Sequence, residues 1–288
     1  MTTAKIGVFG GSGLYKIDGM TDISEVKVET PFGEPSDAII LGKLEGETIA
    51  FLPRHGRGHR ISPTELPVRA NIFAMKQLGV EWLISVNAVG SLREDMHPLD
   101  LVVPNQLIDR TRSRVNSLFE GLGLVAHISF ADPFCPILSD ILVQASREIG
   151  ASVHNGGTYV VMEGPPFSTK AESIMYRSWG GSIIGMTALP EAKMAREAEM
   201  CYATLACITD YDTWHESGET VTIDMAIANL TRNANAARKI IGIVASRIPE
   251  THNCGCTSAL MNAIITDQTL IPPTTKEDLK IIIGKYVR

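Results

Sequence analysis

The chain has 288 residues, of which 44% are hydrophobic and 20% are charged, a balance that suits a folded core and excludes a disordered chain. Its net charge of −6, without any Lys/Arg block, argues against a nucleic-acid partner. No apolar run reaches the roughly 18 residues of a membrane span, and the N-terminus lacks the apolar core of a signal peptide. Five irregularly spaced cysteines favour reduced thiols, so we expect a cytoplasmic protein with no membrane partner.

Short apolar runs alternate with segments of helical periodicity along the chain, and turn residues separate them. In chain order we predict strand 5–9, strands 38–41 and 48–52, helix 68–78, strand 82–86, strand 101–103, helix 135–149, strand 158–162, helix 169–179, strand 183–186, helix 191–200, strand 202–209 and helix 223–247. This alternation predicts the α/β class, with helices on both faces of a largely parallel sheet. We expect a single domain over residues 1–288.

Polar segments at the ends of the predicted strands are the first candidates for a site, because ligands of α/β sheets bind beyond the carboxyl ends of strands. Residues 10–13, 87–91 and 210–212 each follow such a strand, and residues 54–60 contain three Arg and two His. A glycine loop lets backbone N–H groups and the Ser12 hydroxyl approach an anion, but its spacing matches neither a dinucleotide nor a P-loop motif. Guanidinium groups bind phosphate in bidentate fashion, so the basic loop predicts an anion site.

Two carboxylates, Asp210 and Asp212, follow an apolar strand. Spacing alone favours an ordinary strand-end turn here. The functional alternative is that the pair converges on one ligand, as general acids or as acceptors for an amine.

Cysteine and histidine side chains give a weaker signal. His252, Cys254 and Cys256 lie close in sequence, but three ligands without a partner pair are a weak zinc motif. We expect reduced thiols and no metal there, with a redox role as the alternative. His127 stands alone beside apolar residues, which is typical of a core or interface histidine.

Eight segments together carry a far more specific signal than any one of them. In order they read GVFGGSGL, FLPRHGRGHRISP, NAVGSLRED, PNQLIDRT, DPFC, MEGPPFSTKAES, MTALPEAKMAREA and CYATLACITDYDTW. The series resembles the 5′-methylthioadenosine phosphorylases, within the trimeric purine nucleoside phosphorylases, over about residues 5–247. The resemblance implies a twisted, barrel-like central mixed sheet flanked by helices, and a homotrimer. It also implies reversible cleavage of 5′-methylthioadenosine by phosphate, a co-substrate, without a metal or organic cofactor.

The resemblance also assigns residues to parts of the substrates. The phosphate would be held by six residues: Ser12, Arg54, His55, Asn87, Ala88 and Thr187. The nucleoside would be contacted by a second set: His59, His127, Phe167, Met186, Asp210, Asp212, Ile223 and Ala226. In that set Asp210 is the catalytic residue, which serves purine N7, and His127 reaches a neighbouring subunit's site, with Leu270 as a further candidate.

Two positions depart from the family pattern, and two other functions stay open. Asn87 stands where Thr or Ser is usual, and Pro166 stands where a polar residue is common. The alternatives are a phosphorylase for 6-oxopurine nucleosides, methylthioinosine among them, and a noncatalytic nucleotide-binding protein. Carboxylates at both Asp210 and Asp212 favour a 6-amino purine, because a 6-oxo group prefers an amide donor.

Overall fold

The computed structural model describes residues 3–14, 19–215 and 223–287, and leaves the side chains of residues 223–227 undescribed. In these ranges the strands are β1 (Ile6–Gly10), β2 (Thr21–Val26), β3 (Ile39–Leu44), β4 (Glu47–Pro53), β5 (Trp82–Ser91), β6 (Leu101–Val103), β7 (Gln106–Arg110), β8 (Val153–Asn155), β9 (Thr158–Met162), β10 (Ile183–Gly185) and β11 (Cys201–Tyr211). The α-helices are α1 (Val68–Gln77), α2 (Pro136–Glu148), α3 (Lys170–Ser178), α4 (Ala188–Glu197), α5 (Ile223–Ala245), α6 (Pro273–Asp278) and α7 (Lys280–Ile283). None of the helices in the described ranges is long and apolar enough to cross a membrane.

Strand β5 is the centre of the sheet. It pairs in parallel with β11 along its whole length on one side. On its other side it pairs first with β1, in parallel, and then with β10, antiparallel. The sheet therefore has three branches at β5, which are β2-β3-β4-β1, β10-β9-β7 and β11-β6-β8, and the described strands do not close into a barrel. The expected mixed α/β fold is confirmed, although antiparallel pairs are more frequent than the sequence indicated.

Two apolar clusters cover the two faces of the sheet. Along β5, Leu83 belongs to one cluster, whereas Trp82 and Ile84 belong to the other, as the two-residue period of a strand requires. Helices α1 and α4 pack on the first face, and α2 and α5 pack on the second. The prediction of helices on both faces is therefore correct.

Several element bounds differ from the sequence predictions for identifiable reasons. Residues 87–91 are not a loop, because β5 continues through them and pairs with β11 as far as Ser91. Asp210 likewise lies within β11 rather than after it. The strands β2 and β7 were not predicted, because their polar sequences lie largely outside the core.

Candidate active site

The second half of β5 lies between the carboxyl-terminal half of β11 and β10. The carboxyl end of β1 lies beside Ser85 in the middle of β5, and the carboxyl end of β4 lies next to that of β1. Close packing leaves no room for a side chain at the last residue of β1, Gly10, or at the next residue, Gly11. A Cβ on Gly11 would lie 2.4 Å from the Val86 carbonyl oxygen, and one on Gly10 would lie 2.3 Å from the Leu14 carbonyl oxygen. This close approach, rather than a special backbone conformation, explains both glycines, and it leaves Ser12 half-buried at the turn.

Arg54 is almost completely buried, with 1% of its surface exposed, and Glu191 of α4 compensates its charge. Its Nε and Nη2 both donate to the Glu191 carboxylate, Nη2 donates to Ser85 Oγ at 2.6 Å, and Nη1 donates to the Val86 carbonyl at 3.0 Å. Four of its five N–H groups are thus used among the described residues. The basic loop therefore supplies a fixed, ion-paired guanidinium rather than a free cation. Its remaining Nη1–H lies beside the glycine loop.

A hydrogen-bond network extends from this ion pair to two further predicted phosphate residues. Ser85 Oγ lies 2.8 Å from Glu191 Oε2 and 3.0 Å from Asn87 Oδ1. Asn87 Nδ2 in turn donates to Thr187 Oγ1 at 2.5 Å. Because the Thr187 oxygen already accepts a hydrogen bond, its own hydroxyl hydrogen is directed towards another acceptor. Asn87, although atypical for the family, therefore orients Thr187.

His55 is neutral in this environment. Its Nδ1 lies 2.9 Å from the Ile61 carbonyl oxygen, so Nδ1 carries the hydrogen and Nε2 is an acceptor. Burial, followed by the charge of Arg54, lowers the pKa of His55 to about 4. The ring stacks on His59, with centroids 4.2 Å apart, and His59 itself is exposed.

A β-bulge positions the carboxylate pair. The register between β11 and β5 shifts between Ile208 and Asp210, so that Asp210 pairs with Gly90. Such a bulge redirects side chains and leaves carbonyl groups without their ladder partners. Asn229 of α5 donates to the carbonyl of the bulged Thr209 at 2.7 Å, so the helix holds the bulge in place.

The two carboxyl groups differ in their partners. The Thr209 hydroxyl donates to Asp210 Oδ1, yet burial raises the pKa of Asp210 to about 6, and the nearby charge of Asp212 adds to this. Burial also raises the pKa of Asp212, which is 8% exposed. Asp212 Oδ2 is buried and makes no hydrogen bond of standard geometry to a described residue, and the Ser173 hydroxyl near it has no such bond either. Because buried polar atoms are rarely unpaired, this oxygen is an acceptor available to a ligand.

Arg114 is a buried residue that the sequence analysis did not identify, and it binds several backbone carbonyl groups. It is 9% exposed and donates from Nη1 to the Met186 and Leu189 carbonyls and from Nη2 to the Glu163 carbonyl. It thereby joins the end of β9 to the segment after β10. Gly164 allows these two segments to pack closely, since a Cβ there would lie 2.5 Å from Met186 Sδ.

For the other predicted residues, the structure gives a position and an exposure but says less about a role. Ala88 is half-buried on β5, and Phe167 is 80% exposed. His127 is exposed and donates its backbone N–H to Ala263, beside a cavity of about 500 Å³ that residues of the C-terminal segment help to line. The side chains of Ile223 and Ala226 lie outside the described part of the chain.

Comparison with known proteins identifies the family of the chain. A sequence profile of the phosphorylase superfamily matches residues 5–246. The chain belongs to the phosphorylase superfamily. A protein of Geobacter sulfurreducens named S-methyl-5′-thioadenosine phosphorylase is 56% identical over 282 residues, which cover 98% of this chain and 99% of that protein. A protein of the same name from Koribacter versatilis is 54% identical over 283 residues, which cover 98% and 97%.

Solved structures give the same picture. A crystal structure of a methylthioadenosine phosphorylase from an antarctic soil metagenomic library has a TM-score of 0.93 and 48% identity, covering 98% of this chain and 99% of that one. A methylthioadenosine phosphorylase from Schistosoma mansoni in complex with adenine has a TM-score of 0.85 and 34% identity, covering 91% and 99%. The phosphorylase fold is therefore shared along nearly the whole chain.

Proposed function

We propose that the protein catalyses the reversible phosphorolysis of 5′-methylthioadenosine to adenine and 5-methylthioribose 1-phosphate. The observation that carries this proposal is the buried Asp212 Oδ2, which no described residue pairs at standard hydrogen-bond geometry. It lies beside Asp210, at the end of the strand that adjoins the Asn87 segment of β5. An unpaired carboxylate oxygen accepts a hydrogen bond from a 6-amino group but not from an unprotonated 6-oxo group. The names of the relatives in Geobacter sulfurreducens and Koribacter versatilis support the same substrate.

Phosphate is the nucleophile in this proposal. Its oxygens accept hydrogen bonds from the Thr187 hydroxyl, from the backbone N–H groups around Ser12 and from the Arg54 Nη1–H that no described residue accepts. Neutral His55 accepts a hydrogen bond at Nε2, which favours a phosphate that still carries a proton. Fixing phosphate beneath the sugar supplies orientation, and its charge stabilises the cationic ribosyl group that develops as the glycosidic bond breaks.

The leaving base needs a proton, and Asp210 supplies it. A carboxyl group with a pKa of about 6 is protonated in a useful fraction of molecules near neutral pH, whereas an ordinary Asp is not. Asp210 donates to purine N7, which neutralises the charge that the departing adenine accumulates. Phosphate and Asp210 thus provide the nucleophile and the acid, and the proposed reaction uses no resident cofactor.

We further propose that the active form is a homotrimer in the cytoplasm. Four apolar side chains of the His127 segment and the C-terminal segment are 48–75% exposed: Val125, Met261, Ile265 and Leu270. Val125 and Ile265 are neighbours, since their segments are joined by a backbone hydrogen bond of 3.0 Å. Exposed apolar side chains grouped in this way favour burial against another subunit. The free cysteines accord with a reducing compartment.

The function is tested by incubating the protein with methylthioadenosine, adenosine, inosine and methylthioinosine, each with and without phosphate. We expect phosphate-dependent release of adenine, with the highest kcat/KM for methylthioadenosine. Preference for inosine or methylthioinosine would favour the 6-oxopurine alternative. No turnover of any of the four nucleosides would favour a noncatalytic nucleotide-binding protein.

A further inference from the structure

Four cysteine side chains from three distant parts of the sequence meet at one point. The Sγ atoms of Cys135, Cys201, Cys254 and Cys256 all lie within 4.8 Å of one another. Cys254 Sγ is 3.4 Å from Cys201 Sγ and 3.9 Å from Cys135 Sγ. The fold thus brings Cys135 and Cys201 to the Cys254–Cys256 pair, which is an isolated C-x-C motif in the sequence.

The spacing of the sulfur atoms fits a single metal ion. A tetrahedral ion with metal–sulfur bonds of about 2.3 Å separates its sulfur ligands by about 3.8 Å, and the two measured separations lie on either side of that value. Four thiolates select thiophilic ions such as Zn²⁺ over Mg²⁺ or Ca²⁺. We propose that Cys135, Cys201, Cys254 and Cys256 bind one Zn²⁺ ion per chain in a closed tetrathiolate site.

The surroundings of the cluster resemble the outer ligand shell of a metal centre. His252 Nδ1 lies 3.4 Å from Cys201 Sγ, and its Nε2 lies 2.9 Å from Glu81 Oε2. The imidazole also stacks on Trp82, with ring centroids 4.5 Å apart. Contacts at both nitrogens and on one face fix the ring, as outer-shell partners of thiolate ligands require.

The position of the cluster assigns it a structural role. Cys201 begins β11, whereas Asp210 lies near the end of that strand, about 30 Å away at roughly 3.3 Å per residue. Cys135 precedes α2, and Cys254 and Cys256 begin the segment that follows α5. With all four ligands supplied by protein, no position stays open for a substrate. The ion therefore fastens the C-terminal segment to the sheet at the end opposite the proposed chemistry.

The direct test measures metal and thiols on the same full-length protein, produced without an affinity tag in zinc-supplemented medium. We expect about one zinc per chain by plasma mass spectrometry, and five titratable thiols per chain after denaturation with chelator, equal to the number of cysteines. Fewer than five thiols would show that disulfides join these cysteines and would overturn the proposal. Five thiols without bound zinc would also overturn it.

A pair of matched variants tests whether the four residues are the ligands. Cys254→Ser is expected to lose the zinc and to unfold several degrees below the wild type, with unchanged kcat at 25 °C. Cys207→Ala removes the one cysteine outside the cluster and is expected to keep one equivalent of zinc. Cobalt added to the metal-free wild type should give the intense visible bands of tetrahedral Co²⁺–thiolate, which checks the site even if a variant does not fold. Zinc retained by Cys254→Ser, or no such bands, would contradict the assignment.

Discussion

Asp210 combines two opposing influences on one carboxyl group, since burial favours its neutral form and the Thr209 hydroxyl favours its anion. Burial prevails, and the raised pKa keeps a fraction of the Asp210 carboxyl groups protonated near neutral pH. Asp210→Asn preserves the shape and the acceptor for Thr209 but removes the acid. We expect kcat for methylthioadenosine to fall about 10²- to 10⁴-fold, the usual contribution of general acid catalysis. Steady-state assays that follow adenine release measure this, and a variant as fast as the wild type would exclude Asp210 as the proton donor.

The same substitution is expected to stabilise the protein above pH 6. The folded pKa of about 6 lies above the ordinary value of 3.8, so the stability that protonated Asp210 provides is complete below pH 3.8 and is lost as the pH rises through 6. At pH 8 the neutral Asn avoids a penalty of at most about 3 kcal/mol. Denaturant unfolding of both proteins at pH 5 and pH 8 checks this. A gain that is equal at both pH values would show that ionisation of Asp210 is not the cause.

Under the proposed function, Asp212 selects between 6-amino and 6-oxo purines. Its Oδ2, which no described residue pairs at standard geometry, suits the 6-amino group of adenine, whereas the amide of Asp212→Asn can donate to a 6-oxo group. We expect the ratio of kcat/KM for methylthioinosine over methylthioadenosine to rise at least tenfold in this variant. Both rates are measured on the variant and the wild type. An unchanged ratio would mean that Asp212 does not contact position 6.

At the scale of elements, the bulge in β11 depends on helix α5. Asn229→Ala removes the hydrogen bond to the Thr209 carbonyl and is expected to destabilise the protein by about 1 kcal/mol. Because small displacements of catalytic groups are costly, kcat should fall about ten- to a hundredfold. Asn235→Ala, at an exposed position of the same helix, is the matched control and should leave kcat unchanged. Equal kcat in both variants would contradict the role of the bulge.

The elements also show what the sequence could and could not predict. The family motifs assigned Arg54, His55, Asn87 and Thr187 to phosphate, an assignment that stays a prediction. The structure connects Arg54, Asn87 and Thr187 through one hydrogen-bond network. Glu191 was missed because a glutamate on a predicted helix gives no sign of being buried opposite an arginine that precedes it by 137 residues.

Contacts between distant segments explain the other differences. Residues 87–91 contain turn-forming Asn and Gly, yet pairing with β11 holds them in a strand. The cysteine cluster could not be predicted either, since Cys135 and Cys254 are 119 residues apart. Local patterns predicted most helices and core strands, whereas these features depend on tertiary contacts.

For the whole molecule, the exposed apolar side chains near His127 are expected to lie in a subunit interface. Ile265 is 61% exposed, so Ile265→Asp costs little in an isolated chain but places a charge in an interface. We expect the wild type to sediment as a trimer, and Ile265→Asp to sediment as smaller, less active species. Ile23→Asp, on β2 and 60% exposed, is the control and should stay trimeric. A fully active monomeric wild type would contradict the proposed assembly.

The most direct test of the central claim is a crystal structure of the protein with adenine and phosphate bound. The proposed function requires adenine N7 within about 3 Å of the Asp210 carboxyl group and the 6-amino group on Asp212 Oδ2. It also requires phosphate in hydrogen-bond contact with the Thr187 hydroxyl and Arg54 Nη1. Adenine bound away from both carboxylates, or phosphate bound without contact to Thr187 and Arg54, would contradict it.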